Sequence, residues 1–245
     1  MSVLSSIHKG KRVKPRRTLL YGPHGCGKTT WASNWPSPII LDLEGGCNDL
    51  DVHSVRIKNA IDLYGAVIEL GVGSEDYKTC VIDSCDWLEK MVWEELCKKH
   101  NKDSIADLAF GKGFKDSAAY FGKLLNAFDQ VIDAGLHVVL LAHCKQEKVE
   151  PPDNESFHRY APKTHEAVSG LLQEWCDEVL FCKDKTFTTK TDEGFNRKRA
   201  IVSNNSERVI YTRERPAWLA KNRLGLPEEM TMNFSEYEPF LNRKA

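Results

Sequence analysis

Apolar positions along the chain follow two rhythms in turn. Short continuous runs, "RTLLYG" (17–22), "IILDLEGG", "TCVIDS" and "HVVLLAH", predict buried strands. Between them apolar residues recur at helical spacing: "NAIDLYGAVIELG", "DWLEKMVWEELCKKH", and the series Phe121, Leu124, Leu125, Phe128, Val131 and Ile132, which Gly135 closes. A further helix is expected from Thr164, with Val168, Leu171, Leu172 and Trp175 on one face, leading into a strand at "DEVLFC". Strands alternating with helices predict an α/β fold with a doubly wound, mostly parallel sheet. "KRAIVSN" and "RVIYT" predict a C-terminal antiparallel strand pair joined by an Asn/Ser turn. Residues 101–116 read as an irregular loop, and the polar, proline-rich 145–162 as a mobile one.

Composition narrows the class. With 245 residues, 41% hydrophobic and 28% charged, the chain is sized and balanced for one well-buried α/β domain, predicted over 16–245 behind a basic arm at 1–15. A formal net charge of -1 means that any nucleic-acid contact must come from local patches, or from an assembled oligomer. No apolar run approaches the ~20 residues that span a bilayer, so no membrane partner is expected and the localisation expected is cytoplasmic. The eight cysteines lack a C-x-x-C pair and read as reduced thiols.

The chemistry starts at "GPHGCGKTT", residues 22–30, which fits G-x-x-x-x-G-K-[ST] between a strand and a helix. In such a loop, comprising Gly22, Pro23, His24, Gly25, Cys26, Gly27, Lys28, Thr29 and Thr30, glycines let successive backbone N–H groups converge on phosphate oxygens. Lys28 is expected to bridge the β- and γ-phosphates and Thr29 to ligate Mg²⁺. An acid at the end of a neighbouring strand must complete the magnesium shell, and Asp83 in "TCVIDS" has that place. Hydrolysis also needs a group to orient water; Glu44 is the candidate, with Asp42 as competitor one pleat away on the other side of Leu43.

In this order and at these separations, "GPHGCGKTT", "IILDLEGG", "CVIDS" and "VVLLAH" resemble the RecA-type ATPase core, and most closely the small phage-encoded RecA-like nucleotide-binding proteins, some of which are single-strand-annealing recombinases. The resemblance implies a RecA-like P-loop NTPase core using ATP and Mg²⁺. It matches Glu44 to the catalytic glutamate, Asp83 to the Walker B aspartate and His143 to the γ-phosphate sensor, where the bacterial recombinases usually carry glutamine. In "LAKNRLGLP" it matches Lys221 and Arg223 to cations that enter a neighbouring subunit's ATP site. The implied partners are single-stranded DNA and further copies of the chain, as a filament or ring, with a single-stranded-DNA-binding protein as a further one.

The family binds DNA through two loops. Here "FGKGFK" offers Phe110, Lys112, Phe114 and Lys115, a mixture suited to stacking bases and pairing phosphates. The stretch 145–162 offers Lys145, Lys148, Phe157, His158, Arg159 and Tyr160 among several acids, and either loop equally suits a subunit contact. The function expected is therefore a Mg²⁺-dependent ATPase that assembles on single-stranded DNA in phage recombination or replication. A ring-forming helicase or loader, a nucleotide-gated DNA-binding module with little turnover and a small-molecule kinase are the alternatives.

Overall fold

The computed structural model describes residues 7, 9, 10, 13–153, 155–192 and 198–241, the stretch 186–206 by its backbone alone. Ten strands form one sheet, in the order β10-β8-β7-β1-β5-β4-β2-β3, with β6 pairing β5 and β9 pairing β7 off that path. They are β1 (Arg17–Gly22), β2 (Pro38–Asp42), β3 (His53–Arg56), β4 (Thr79–Asp83), β5 (His137–Val149), β6 (Phe157–Pro162), β7 (Glu178–Asp192), β8 (Lys198–Tyr211), β9 (Lys221–Asn222) and β10 (Glu229–Thr231). The six adjacent strands from β7 to β3 run parallel.

Both faces of the parallel part are covered, as its continuous apolar runs require. Leu19, Tyr21, Leu41, Ile82, Val138 and Leu140 point to one face, under α2 (Ala60–Val72), α3 (Cys85–His100), α4 (Lys112–Asp133) and α5 (Glu166–Trp175). Their pleat neighbours Leu20, Ile40, Val81, Val139 and Leu141 point to the other, under α1 (Lys28–Ala32) and α6 (Phe234–Leu241). On that second face Trp31 meets Trp35, Phe234 and Tyr237 edge-on, with centroids 5.1–5.7 Å apart. Helix α6, which sequence periodicity leaves unread, thus seals the sheet behind α1.

Three segments differ from expectation. Ile105–Asp107 and Ala109–Gly111 form two short 3₁₀ turns, and α4 starts at Lys112 after Gly111 in the left-handed region; Gly113 packs on Ile105 so closely that a Cβ would fall 2.6 Å from its Cδ1. The stretch 145–162 is for the most part no loose loop: β5 runs on to Val149 and returns as β6, paired from Cys144↔Pro162 to Val149↔Phe157. Alternation along this hairpin is masked by its charges, which pair across it, as Arg159 does with Glu147 at 2.8 Å. The Asn/Ser stretch near 204 is not a turn but the middle of one long strand, β8, whose antiparallel partner is β7. All eight cysteines are free thiols. Among the described residues no helix is long and apolar enough to cross a membrane.

Candidate nucleotide site

The parallel register brings the C-terminal ends of β1, β2 and β4 and the middle of β5 to one edge. Gly22 of β1 lies opposite His143 of β5, and Asp42 of β2 opposite Asp83 of β4. Strand β5 sits between β1 and β4, so His143, midway along it, reaches the phosphate loop from the flank on which β4 and β2 lie.

The loop has the backbone that phosphate cradling needs. Gly25 and Gly27 stand at φ 74° and 92°, a left-handed region that favours glycine. Lys28 is buried, at 7% exposure, and its ammonium donates to the Gly22 carbonyl at 3.1 Å and the Pro23 carbonyl at 2.8 Å. It also donates to the Cys26 sulfur at 4.0 Å. A buried ammonium held by neutral groups alone is placed to exchange them for anionic oxygens. Thr29 donates its hydroxyl to Asp83 at 2.7 Å, joining the two residues predicted to hold Mg²⁺. Burial pushes the Asp83 carboxyl above the usual range; the Thr29 hydroxyl pulls it back, and the charges of Glu44 and Asp42 push it further up. A divalent cation between the Thr29 oxygen and this carboxylate would relieve that crowding, so the donor set fits the ion.

Asp42 and Glu44 have separate tasks. Asp42 is buried; its Oδ1 accepts the backbone N–H of Glu44 at 3.0 Å and of Gly45 at 2.6 Å and faces Arg56 at 3.3 Å. It pins the turn after β2. Glu44 is left pointing into the site, its carboxylate 3.9 Å from Nε2 of His143. That nitrogen's partner across the ring, Nδ1, lies 2.9 Å from Asp86, which also accepts the His143 backbone N–H at 3.0 Å. Burial pushes the Asp86 carboxyl up, yet the hydrogen bonds from His143 outweigh it and hold the group below its ordinary value. Sequence reading missed Asp86, the second residue of α3 and three positions after Asp83, because nothing in the local pattern ties it to His143.

His24 of the loop stacks on His143, with centroids 3.7 Å apart and planes at 26°. Its pKa is lowered, first by burial against that ring, then by His143 and Lys28. Among the described residues His24, Glu44 and His143 are the one group of three or more His, Cys, Asp or Glu side chains with ligand atoms all within 4.8 Å of one another. Two face-to-face imidazoles do not aim their nitrogens at a common point, so as arranged they do not share an ion.

Beside this centre opens a cavity of about 630 Å³, whose walls include Glu44, Trp87, Lys90, Trp93, Lys145 and Lys163. The foot of the β5–β6 hairpin is anchored there. Lys163 donates its backbone N–H to the His143 carbonyl at 2.8 Å, and both oxygens of Glu89 accept the His165 N–H at 2.9 Å. Burial raises Glu89 to about 7, against the pull of that N–H and of Lys145.

The remaining predicted residues lie apart from the phosphate loop. Phe114 is half-buried, stacked on His165 at 4.4 Å and edge-on to Trp93 at 5.6 Å. Lys112 pairs with Asp116 at 2.7 Å, Lys115 is exposed, and Phe110 is 99% exposed. Lys221 and Arg223 lie at the start of β7, hence at the sheet edge opposite the phosphate loop. Lys221 donates to the carbonyls of Gln173, Glu174 and Cys176 at the end of α5, and Arg223 pairs with Asp177 at 3.2 Å. Within one chain neither reaches the site.

A phosphate loop, a hydrogen-bonded Thr29–Asp83 pair beside it and polar groups from neighbouring parallel strands define a P-loop NTPase-type site. The family model described as AAA domain matches residues 14–224, and the chain belongs to that family. No curated protein matches the sequence.

Proposed function

We propose that the protein is a Mg²⁺-dependent ATPase of RecA type that assembles on single-stranded DNA and serves phage recombination by annealing. One observation carries the reading: Lys28, the Thr29–Asp83 pair and the Glu44–His143–Asp86 set converge at one edge of the sheet. Bound at the loop, Mg²⁺-ATP supplies an electrophilic γ-phosphorus. Lys28 neutralises the phosphates, Thr29 and Asp83 hold the cation, and Glu44 orients a water and accepts its proton. His143, fixed through Nδ1 by Asp86, turns Nε2 towards Glu44 and the γ-phosphate position, and passes the state of the site to the hairpin through Lys163.

The DNA reading is supported by the wall beside the centre. Trp87 and Trp93 offer stacking faces, and Lys90, Lys145 and Lys163 offer phosphate contacts. Phe110 and Lys115 are exposed and free to meet DNA, whereas Phe114 acts from inside by holding His165. Lys221 and Arg223, on the opposite edge of the sheet, reach a site only in a neighbour stacked head to tail, as a filament or ring provides.

The test is ATP hydrolysis with and without single-stranded DNA and Mg²⁺, beside an annealing assay on complementary strands. DNA-stimulated, Mg²⁺-dependent turnover with accelerated annealing supports the reading. Turnover with directional unwinding instead would make the protein a helicase motor, and no turnover despite ATP binding would make it a nucleotide-gated module.

A further inference from the structure

The hydrolytic groups all stand on one flank of the phosphate loop. His143, Asp83 and Glu44 come from β5, β4 and the turn after β2, which follow one another on the same side of β1. On the other side lie β7, β8 and β10, and there a separate cavity of about 140 Å³ borders the loop. Its walls include Gly27 and Thr30 of the loop, Asn34 just beyond α1, Arg208 near the end of β8, and Met232 and Asn233 between β10 and α6.

A nucleoside triphosphate is a linear ligand. With its γ-phosphate among Glu44 and His143, its nucleoside must leave the loop on the flank where this cavity lies. We propose that the cavity receives the purine base, covered by the guanidinium of Arg208 and the thioether of Met232; the assignment rests on the ATP-site reading above. Gly27 permits the close approach. A Cβ on it would stand 3.1 Å from Nη1 of Arg208 and 3.9 Å from Cε of Met232, so both side chains close directly over the loop. Asp184, its cross-strand partner on β7, faces the Arg208 guanidinium at 3.7 Å.

The wall chemistry suits a base rather than a further phosphate. Met232 and Phe234 are apolar, while Thr30, Asn34 and Asn233 are neutral hydrogen-bonding groups suited to a heterocycle's edge. A planar guanidinium and a polarizable sulfur both bind aromatic faces. The volume has room for a base, with the sugar at the mouth. The segment after β10, which carries none of the predicted site residues, thereby becomes part of the nucleotide site.

Equilibrium binding of ATP and of inorganic tripolyphosphate to the whole protein separates base from phosphate contacts. Arg208→Ala should weaken ATP about tenfold, the lower range of one base–side-chain stacking contact, and leave tripolyphosphate unchanged. Arg208→Lys, which keeps the charge but not the plane, should stay weak, and Met232→Ala should weaken ATP by a smaller factor. Equal losses for ATP and tripolyphosphate, full recovery by Arg208→Lys, or unchanged ATP affinity in both alanine variants would each overturn the base assignment. A wild-type protein that binds neither ligand would instead overturn the ATP-site reading on which it rests.

Discussion

Asp86 holds His143 at two points, accepting the backbone N–H at 3.0 Å and facing ring Nδ1 at 2.9 Å. The doubled contact fixes both the backbone midway along β5 and the ring, and leaves Nε2 as the nitrogen turned to Glu44. Asp86 is therefore a positioning residue. Asp86→Asn should lower kcat about tenfold or more with little change in ATP affinity, as outer-shell carboxylates that orient a histidine do elsewhere. In a His143→Ala background the same change should add almost nothing; additive losses would mean that Asp86 acts independently of the ring.

Lys28→Ala should cost at least about a hundredfold in turnover, because no other described ammonium is tied to the loop's own carbonyls. Thermal unfolding should change little, since the lost bonds are to carbonyls that water can reach once the ammonium is gone. Undiminished ATPase activity in this variant would remove the phosphate-loop reading.

Glu44→Gln should keep ATP binding and lose about 10²–10⁴ in kcat, the range of general-base catalysis, because an amide preserves shape but takes no proton. Asp42→Asn should behave otherwise. Its carboxylate accepts two backbone N–H groups and faces Arg56, so the variant should unfold at lower temperature. The reverse pattern would exchange the two roles.

Assembly is testable by mixing. Lys221 ties down the end of α5, so its loss confounds stability with activity; Arg223, with a single described partner on the surface, is the cleaner probe. Arg223→Ala and Lys28→Ala chains, each inactive alone, should regain partial ATPase activity when combined on single-stranded DNA. No recovery in a proven mixed assembly would confine Arg223 to a role within its own chain.

Glu178 gives a pH signature remote from the site. It is fully buried at the start of β7, accepts the Thr18 hydroxyl at 2.9 Å, and is raised by burial to about 7. The folded chain therefore binds this proton more tightly than the unfolded one. The contribution is present below about pH 4.5 and is lost as pH rises towards 7, on the order of 3 kcal/mol. Glu178→Gln should flatten that part of the stability profile, so that urea midpoints of variant and wild type converge or cross between pH 5 and 8. Parallel profiles would show that Glu178 ionises alike in both states.

The sequence by itself determined what depends on local pattern. "GPHGCGKTT" fixes a phosphate loop, because its glycine positions and its lysine act through backbone geometry within nine residues. The apolar runs fix parallel strands buried on both faces, since only such strands dispense with alternation. Tertiary structure decided whatever depends on pairing between distant segments. Charges that looked like loop chemistry in 145–162 became cross-strand partners once β5 met β6, and Phe114 turned inward because His165 arrives beside it from that hairpin. Asp86 and Arg208 carried no legible signal: one acts on a strand residue 57 positions away, and the other reaches Gly27 only because β8 and β10 fold back across the sheet edge beyond β7. Sequence spacing records neighbours along a helix or strand, while the order of strands in a sheet is set by which faces bury best together, and that order brought these residues to the loop.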